Sequence, residues 1–206
     1  MSSTRIRVVR RRVLIIAGIA LLVVVAIIGF RLFSGPVRAT KITVYDPTGF
    51  KATEEADGQC WTGSLAAPRA GAFRCAVGNE IHDPCFVTDA AVACPMGDPA
   101  DNTGLLINLT APLPEPPDAW ENPPDPANPV PWDIRLLGGG FCGALTGTRP
   151  PEFPYGCVVP DVSEPTFCSM PVPLAHKSGV YATTCGTWNG QEIVPFRIFL
   201  VTQMWL

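Results

Sequence analysis

The chain has 206 residues, with 23 Pro and 8 Cys set against only 16% charged residues and two His. That composition argues against a cytosolic helical enzyme, and the length leaves room for one domain of ordinary size plus appendages. Six of the 15 basic residues lie before residue 34 and all 18 acidic residues lie after it, so the formal net charge of −3 hides a C-terminal portion carrying −9. Such a surface repels phosphate backbones, which argues against nucleic acid and leaves basic or neutral partners.

Residues 1–12 form a basic tail with Arg5, Arg7, Arg10, Arg11 and Arg12. Residues 13–30 follow without a charge or strongly polar group, enough at 1.5 Å per residue to cover about 27 Å of hydrocarbon. Leu32 and Phe33 extend the run, which predicts a transmembrane helix over 13–33. The arginine excess on its N-terminal side puts the tail in the cytoplasm and everything after Phe33 outside it. A cleaved signal peptide is the competing reading, but the run is longer than a usual signal core and no A-x-A-like site follows. The expected location is therefore the plasma membrane, single-pass, with an extracytoplasmic C-terminal domain.

A connector over 34–40 leads to the first strand-like alternation, 42–45, so the folded part starts close to the bilayer. No later window sustains a helical apolar period over three turns. Short β-favouring runs punctuated by Gly and Pro predict further strands at 72–76, 90–93, 105–109, 134–137, 141–145, 180–184 and 195–201. The last is apolar on both faces, as a central or closing strand would be. Between the halves, residues 112–131 hold nine Pro, four carboxylates and no basic residue, which predicts an extended polyproline-type loop. The expected fold class is mainly β: a small disulfide-stapled β sandwich or barrel-like ectodomain over 41–206, behind one N-terminal transmembrane helix.

The eight cysteines, Cys60, Cys75, Cys85, Cys94, Cys142, Cys157, Cys168 and Cys185, form an even set outside the cytoplasm, which predicts four disulfides. They fall into two groups of four separated by 47 residues. Pairing inside each group is expected: Cys60 with Cys94 and Cys75 with Cys85, then Cys142 with Cys157 and Cys168 with Cys185. No C-x-x-C occurs, so neither zinc nor thioredoxin-type redox chemistry is indicated, and no metal or cofactor is expected. Each half opens on a Cys-x₁₄-Cys loop with a Thr-Gly-(Ser/Thr) step, which suggests a duplication.

The runs from Cys60-Trp61 to Arg69, Phe73-Arg74-Cys75, Gly78-Asn79 through Asp83-Pro84-Cys85-Phe86, and Phe141-Cys142 to Tyr155-Gly156-Cys157 resemble a set of uncharacterised exported bacterial proteins with a similar cysteine-and-tryptophan pattern. The resemblance covers most of 58–158 and implies a secreted disulfide-bonded domain and nothing catalytic. The pair Cys168 and Cys185 and the proline-rich insert depart from that pattern.

Glu80, His82 and Asp83 form the one place where a His lies beside carboxylates. They read as a polar turn leading into Asp83-Pro84-Cys85 or, alternatively, as the acid–base set of an exported hydrolase. His176 lies in a second polar turn. The run from Gly138 to Gly143 satisfies G-x-G-x-x-G formally, but without a following helix it reads as a tight turn. Neither G-x-S-x-G nor H-E-x-x-H is present. Trp61, Trp120, Trp132 and Trp188 lie in or near loops and are candidate stacking platforms for sugars or peptides, Trp120 and Trp188 foremost, while Trp61 beside a cystine and Trp205 in the last strand also read as core. The function these features point to is a membrane-anchored extracytoplasmic binding or structural accessory protein. Its expected partners are a protein of the same membrane or envelope, and the bilayer itself through residues 13–33. An exported hydrolase and a carbohydrate-binding module are the alternatives.

Overall fold

The computed structural model describes residues 38–89, 91–115 and 123–206. The basic tail, the apolar run, most of the connector and Trp120 therefore lie outside the described residues. Among the described residues no helix is long and apolar enough to cross a membrane. In chain order the strands are β1 (Lys41–Thr43), β2 (Lys51–Gly63), β3 (Ala72–Val77), β4 (Glu80–Val87), β5 (Val92–Pro95), β6 (Thr103–Leu109), β7 (Asp133–Leu136), β8 (Phe141–Ala144), β9 (Tyr155–Val158), β10 (Thr166–Cys168), β11 (Val172–Pro173), β12 (Tyr181–Trp188) and β13 (Ile193–Trp205). A single 3₁₀ turn, Pro99–Asp101, separates β5 from β6. The chain is thus mainly β and barrel-like, as composition and turn spacing indicate.

Strands β2 to β6 form a closed meander barrel. Five up-and-down strands are an odd number, so the first and last must run the same way, and β2 meets β6 in parallel while all other pairs are antiparallel. Strand β2 serves both neighbours in turn: its first half pairs with β6 and its last residues with β3. The handover falls at Gly58, where a Cβ would come within 2.5 Å of the Ala76 carbonyl oxygen. Only glycine lets three backbones approach so closely. The second sheet has the order β1-β13-β7-β8-β9-β10-β12-β11, and the additional β12–β13 pairing brings it back on itself. Six of its strands form an antiparallel ring, as an even number of meander strands allows, with β1 and β11 attached at its side.

All four disulfides join directly facing positions on neighbouring antiparallel strands, with Cα atoms 3.9 to 4.1 Å apart. Cys142–Cys157 and Cys168–Cys185 follow the expected pairing. In the first group the bonds are Cys60–Cys75 and Cys85–Cys94, which corrects the nested pairing expected from the sequence. The reason is topological: strands consecutive in sequence are neighbours in the sheet, so Cys60 on β2 faces Cys75 on β3 and never reaches β5. The cystines form the centre of each core, with Phe73, Val92, Leu105 and Ile107 in the first barrel and Ile134, Leu136, Tyr155, Val201 and Met204 in the second.

The two barrels meet in a third cluster of Tyr45, Ala66, Ala67, Ala72, Phe86, Trp132 and Trp205. The proline-rich segment is tied at both ends, since Leu113 packs on the first core and the Tyr155 hydroxyl donates to the Pro131 carbonyl at 2.6 Å. Between β7 and β8, Gly138 and Gly139 hold φ of 102° and 98°, the tight turn expected of this glycine run rather than a phosphate cradle.

Candidate functional site

Glu80, His82 and Asp83 lie within β4, which corrects the expectation of a polar turn there. The turn sits one step earlier, at Gly78 with φ 58°. Strand alternation puts Glu80 and His82 on one face and Asp83 on the other, so the three do not converge as an acid–base set. The Asp83 carboxylate is buried and accepts from the Ser64 hydroxyl and from the backbone N–H groups of Leu65 (3.1 Å) and Ala66 (3.4 Å). Ser64 Oγ in turn accepts from the Ala67 N–H at 2.8 Å. No imidazole stands between hydroxyl and carboxylate, so this pair latches the β2–β3 loop and is not an activated nucleophile. Burial lifts the Asp83 pKa above its ordinary value, while these hydrogen bonds and the charge of Arg74 oppose the rise.

Two irregularities flank Arg74. Strand β2 carries an extra residue between Cys60 and Thr62, and β4 carries one opposite the step from Phe73 to Cys75. Bulges re-aim side chains. The first turns Trp61 outward to 46% exposure, which corrects its assignment to the core. The Arg74 guanidinium lies 5.7 Å from the centre of the Trp61 ring, and its Nε lies 3.9 Å from Asp83. His82 Nε2 is buried nearby in the same barrel without a hydrogen-bond partner among the described residues. An indole with an Arg above it, on rigid strands, is a contact surface for an aromatic, a sugar or a peptide.

At the seam, Trp132 is 5% exposed and packs edge-on against Tyr45 at 5.5 Å, with Phe86 at 5.7 Å. It is a core residue there and not an open platform. Arg69 lies over Phe86 at 4.6 Å and donates to the Tyr45 carbonyl at 2.7 Å. Burial, with Asp46 adding to it, pushes the Tyr45 hydroxyl up to about 12. Arg135 on β7 reaches across to Asp98 of the first barrel at 2.9 Å and lies 4.0 Å from Asp133.

Asp133 is buried, and its Oδ1 has no hydrogen-bond partner among the described residues. Burial pushes its pKa up to about 8 from 3.8, Asp98 adds to the rise and Arg135 opposes it. The folded protein thus keeps this proton where the unfolded chain has lost it, so the contribution of Asp133 to stability is fully present below pH 3.8 and is lost as pH rises toward 8. Asp133→Asn is expected to remove that slope, leaving stability at pH 4 unchanged and raising it by about 1–3 kcal/mol at pH 8. Urea titrations at the two pH values check this, and an Asn variant weaker than the parent at pH 8 contradicts it.

Trp205 is buried, as expected of a closing strand, whereas Trp188 is 47% exposed at the end of β12. His176 lies in the loop between β11 and β12, in the other barrel from His82. Among the described residues, the one close group of potential metal ligands is Cys142, Cys157 and Cys168, and all three sulfurs are engaged in disulfides. A cleft of about 230 Å³ opens beside the β2–β3 loop, lined by Pro68, Arg69, Pro124, Asp125 and Leu206. Its mixed charge and small size define no reaction. No protein-family model, curated protein or solved structure matches this chain.

Proposed function

We propose that the protein is a membrane-anchored extracytoplasmic binding or structural accessory protein, whose paired barrels contact another component of the same envelope. The observation that carries this reading is the Trp61–Arg74 pair, an exposed indole and a guanidinium held by bulges on a disulfide-clamped barrel. Tryptophan and arginine are the residue types that dominate binding energy at interfaces, and rigid support lowers the entropy lost on contact. The groups with catalytic potential point the other way, because Ser64 and Asp83 are spent on each other and on the loop backbone. Four disulfides fit an oxidising compartment, in keeping with export beyond the apolar run.

Affinity capture of the full chain from detergent-solubilised membranes tests the reading. The expected result is a co-purifying envelope protein whose recovery drops at least about tenfold with Trp61→Ala. Recovery of the chain alone at every concentration overturns it. The same exposed indole supports the carbohydrate-binding alternative, which predicts quenching of Trp61 fluorescence by soluble cell-wall fragments.

A further inference from the structure

The wall of the second barrel is uneven beside β13. Strand β12 lies along one side of β13 from Ile193 to Val201 and is itself backed by β10 at Cys185–Thr187. On the other side β7 pairs with β13 only from Val201 onward, with one further bond from the Leu137 N–H to the Leu200 carbonyl. From Ile193 to Phe199 that side has no paired neighbour among the described residues. The edge is nonetheless held to the core: the Phe196 ring stands edge-on to the buried Phe199 at 6.2 Å, and the Arg197 guanidinium lies 5.3 Å from the same ring. It is apolar as well as unpaired, since Val194, Phe196 and Ile198 are exposed, the last to 69%. An ordered apolar edge of this kind is a template for another strand.

The charges on this edge say which strand fits. Along Glu192-Ile-Val-Pro-Phe-Arg197 a carboxylate and a guanidinium bracket an uncharged stretch, and neither takes part in an ion pair among the described residues. Plain alternation over five steps would put Glu192 and Arg197 on opposite faces. The bulge at Phe196 changes the parity: Thr187 faces Val194 and Cys185 faces Arg197, so Val194 and Arg197 share a face. The Glu192 carbonyl accepts from the Asn189 N–H at 3.1 Å and continues the ladder, which puts Glu192 on that face too. Two copies laid antiparallel about Val194 therefore set each Glu192 opposite the other's Arg197, with Ile193 opposite Pro195 and Val194 opposite itself in between. A foreign strand of either charge satisfies one of these groups and opposes the other. Charge and proline usually guard an edge against self-pairing, but here the charges have opposite signs and attract when two copies meet.

We propose that the protein forms a two-fold dimer in which the β13 edge from Ile193 to Phe199 of one copy pairs antiparallel with that of a second, locked by reciprocal Glu192–Arg197 ion pairs. The contact uses the same surface on both copies, so it closes at two and does not propagate. The acidic excess of the C-terminal portion discourages approach by other faces. The Trp61–Arg74 surface lies on the other barrel and takes no part in this contact.

Sedimentation equilibrium of the full-length chain in detergent solution tests this, on the parent, on Glu192→Arg, on Arg197→Glu and on an equimolar mixture of the two variants. The parent is expected to dimerise. Each variant alone meets like charges at both ends of the contact and is expected to dimerise at least about tenfold more weakly. Mixing the two restores opposite charges at both ends, so the mixture is expected to recover the parent's affinity, which a misfolded variant could not do. A parent that stays monomeric up to about 100 µM overturns the proposal. So do single variants that dimerise as the parent does, a mixture that stays as weak as its components, and cross-linking of the β13 edge to a different protein in place of a second copy.

Discussion

Trp132→Ala is expected to destabilise the protein by about 3–5 kcal/mol and to split its unfolding into two transitions. The indole is, with that of Trp205, one of the two largest side chains at the seam, in contact with Tyr45 and Phe86, which belong to the connection before the first barrel and to β4. Its backbone sits elsewhere in the balance: Trp132 N–H donates to the Trp205 carbonyl, and Ala144 N–H donates to the Trp132 carbonyl. Alanine preserves both bonds, so the second barrel keeps its ladder while the contact between barrels opens a cavity. Each barrel retains two cystines, and its own core survives the loss. Denaturation followed by tryptophan emission and by far-ultraviolet circular dichroism separates the steps. One coincident transition, shifted by less than about 1 kcal/mol, would show that the aromatic cluster does not couple the barrels.

Asp83→Ala is expected to cost about 2–4 kcal/mol, most of it through groups left without a partner. The Ser64 hydroxyl and the N–H groups of Leu65 and Ala66 all converge on this carboxylate, and Arg74 loses its counter-charge. Ser64→Ala removes one of those bonds and the support of Ala67 N–H, so its cost should be about 1 kcal/mol. Limited proteolysis should show the loop between β2 and β3 cut first in Asp83→Ala. The hydrolase alternative predicts the reverse pattern, with stability kept and a turnover lost. Urea midpoints for the two variants decide between them.

Several features were legible because they are local. The even cysteine set, the alternation at 72–76 and 134–137, and the glycine turn before Phe141 all depend on nearest neighbours along the chain. The strands that escaped detection explain themselves physically. Strand β2 begins Lys51-Ala-Thr-Glu-Glu-Ala-Asp, with hardly an apolar side chain to mark a period, because its first half is solvent-exposed and held by backbone bonds to β6. Strand β4 contains a proline after Asp83, and β10 and β11, with three and two residues, are too short for alternation to register. The Trp61–Arg74 surface was hidden for another reason. A bulge reverses the side from which an indole projects, and bulges follow from cross-strand register.

Composition and order alone determined a β-rich, disulfide-linked and acidic chain with a proline-rich divider, since residue counts and short-range propensities carry those properties directly. Tertiary structure decided which cysteines face each other, that the β sheets close as a five-strand barrel and a six-strand ring, and that Asp83 holds a loop while Trp61 faces solvent. Those outcomes depend on which strands lie side by side and in what register, a long-range choice made by burial over the whole domain rather than by any single segment.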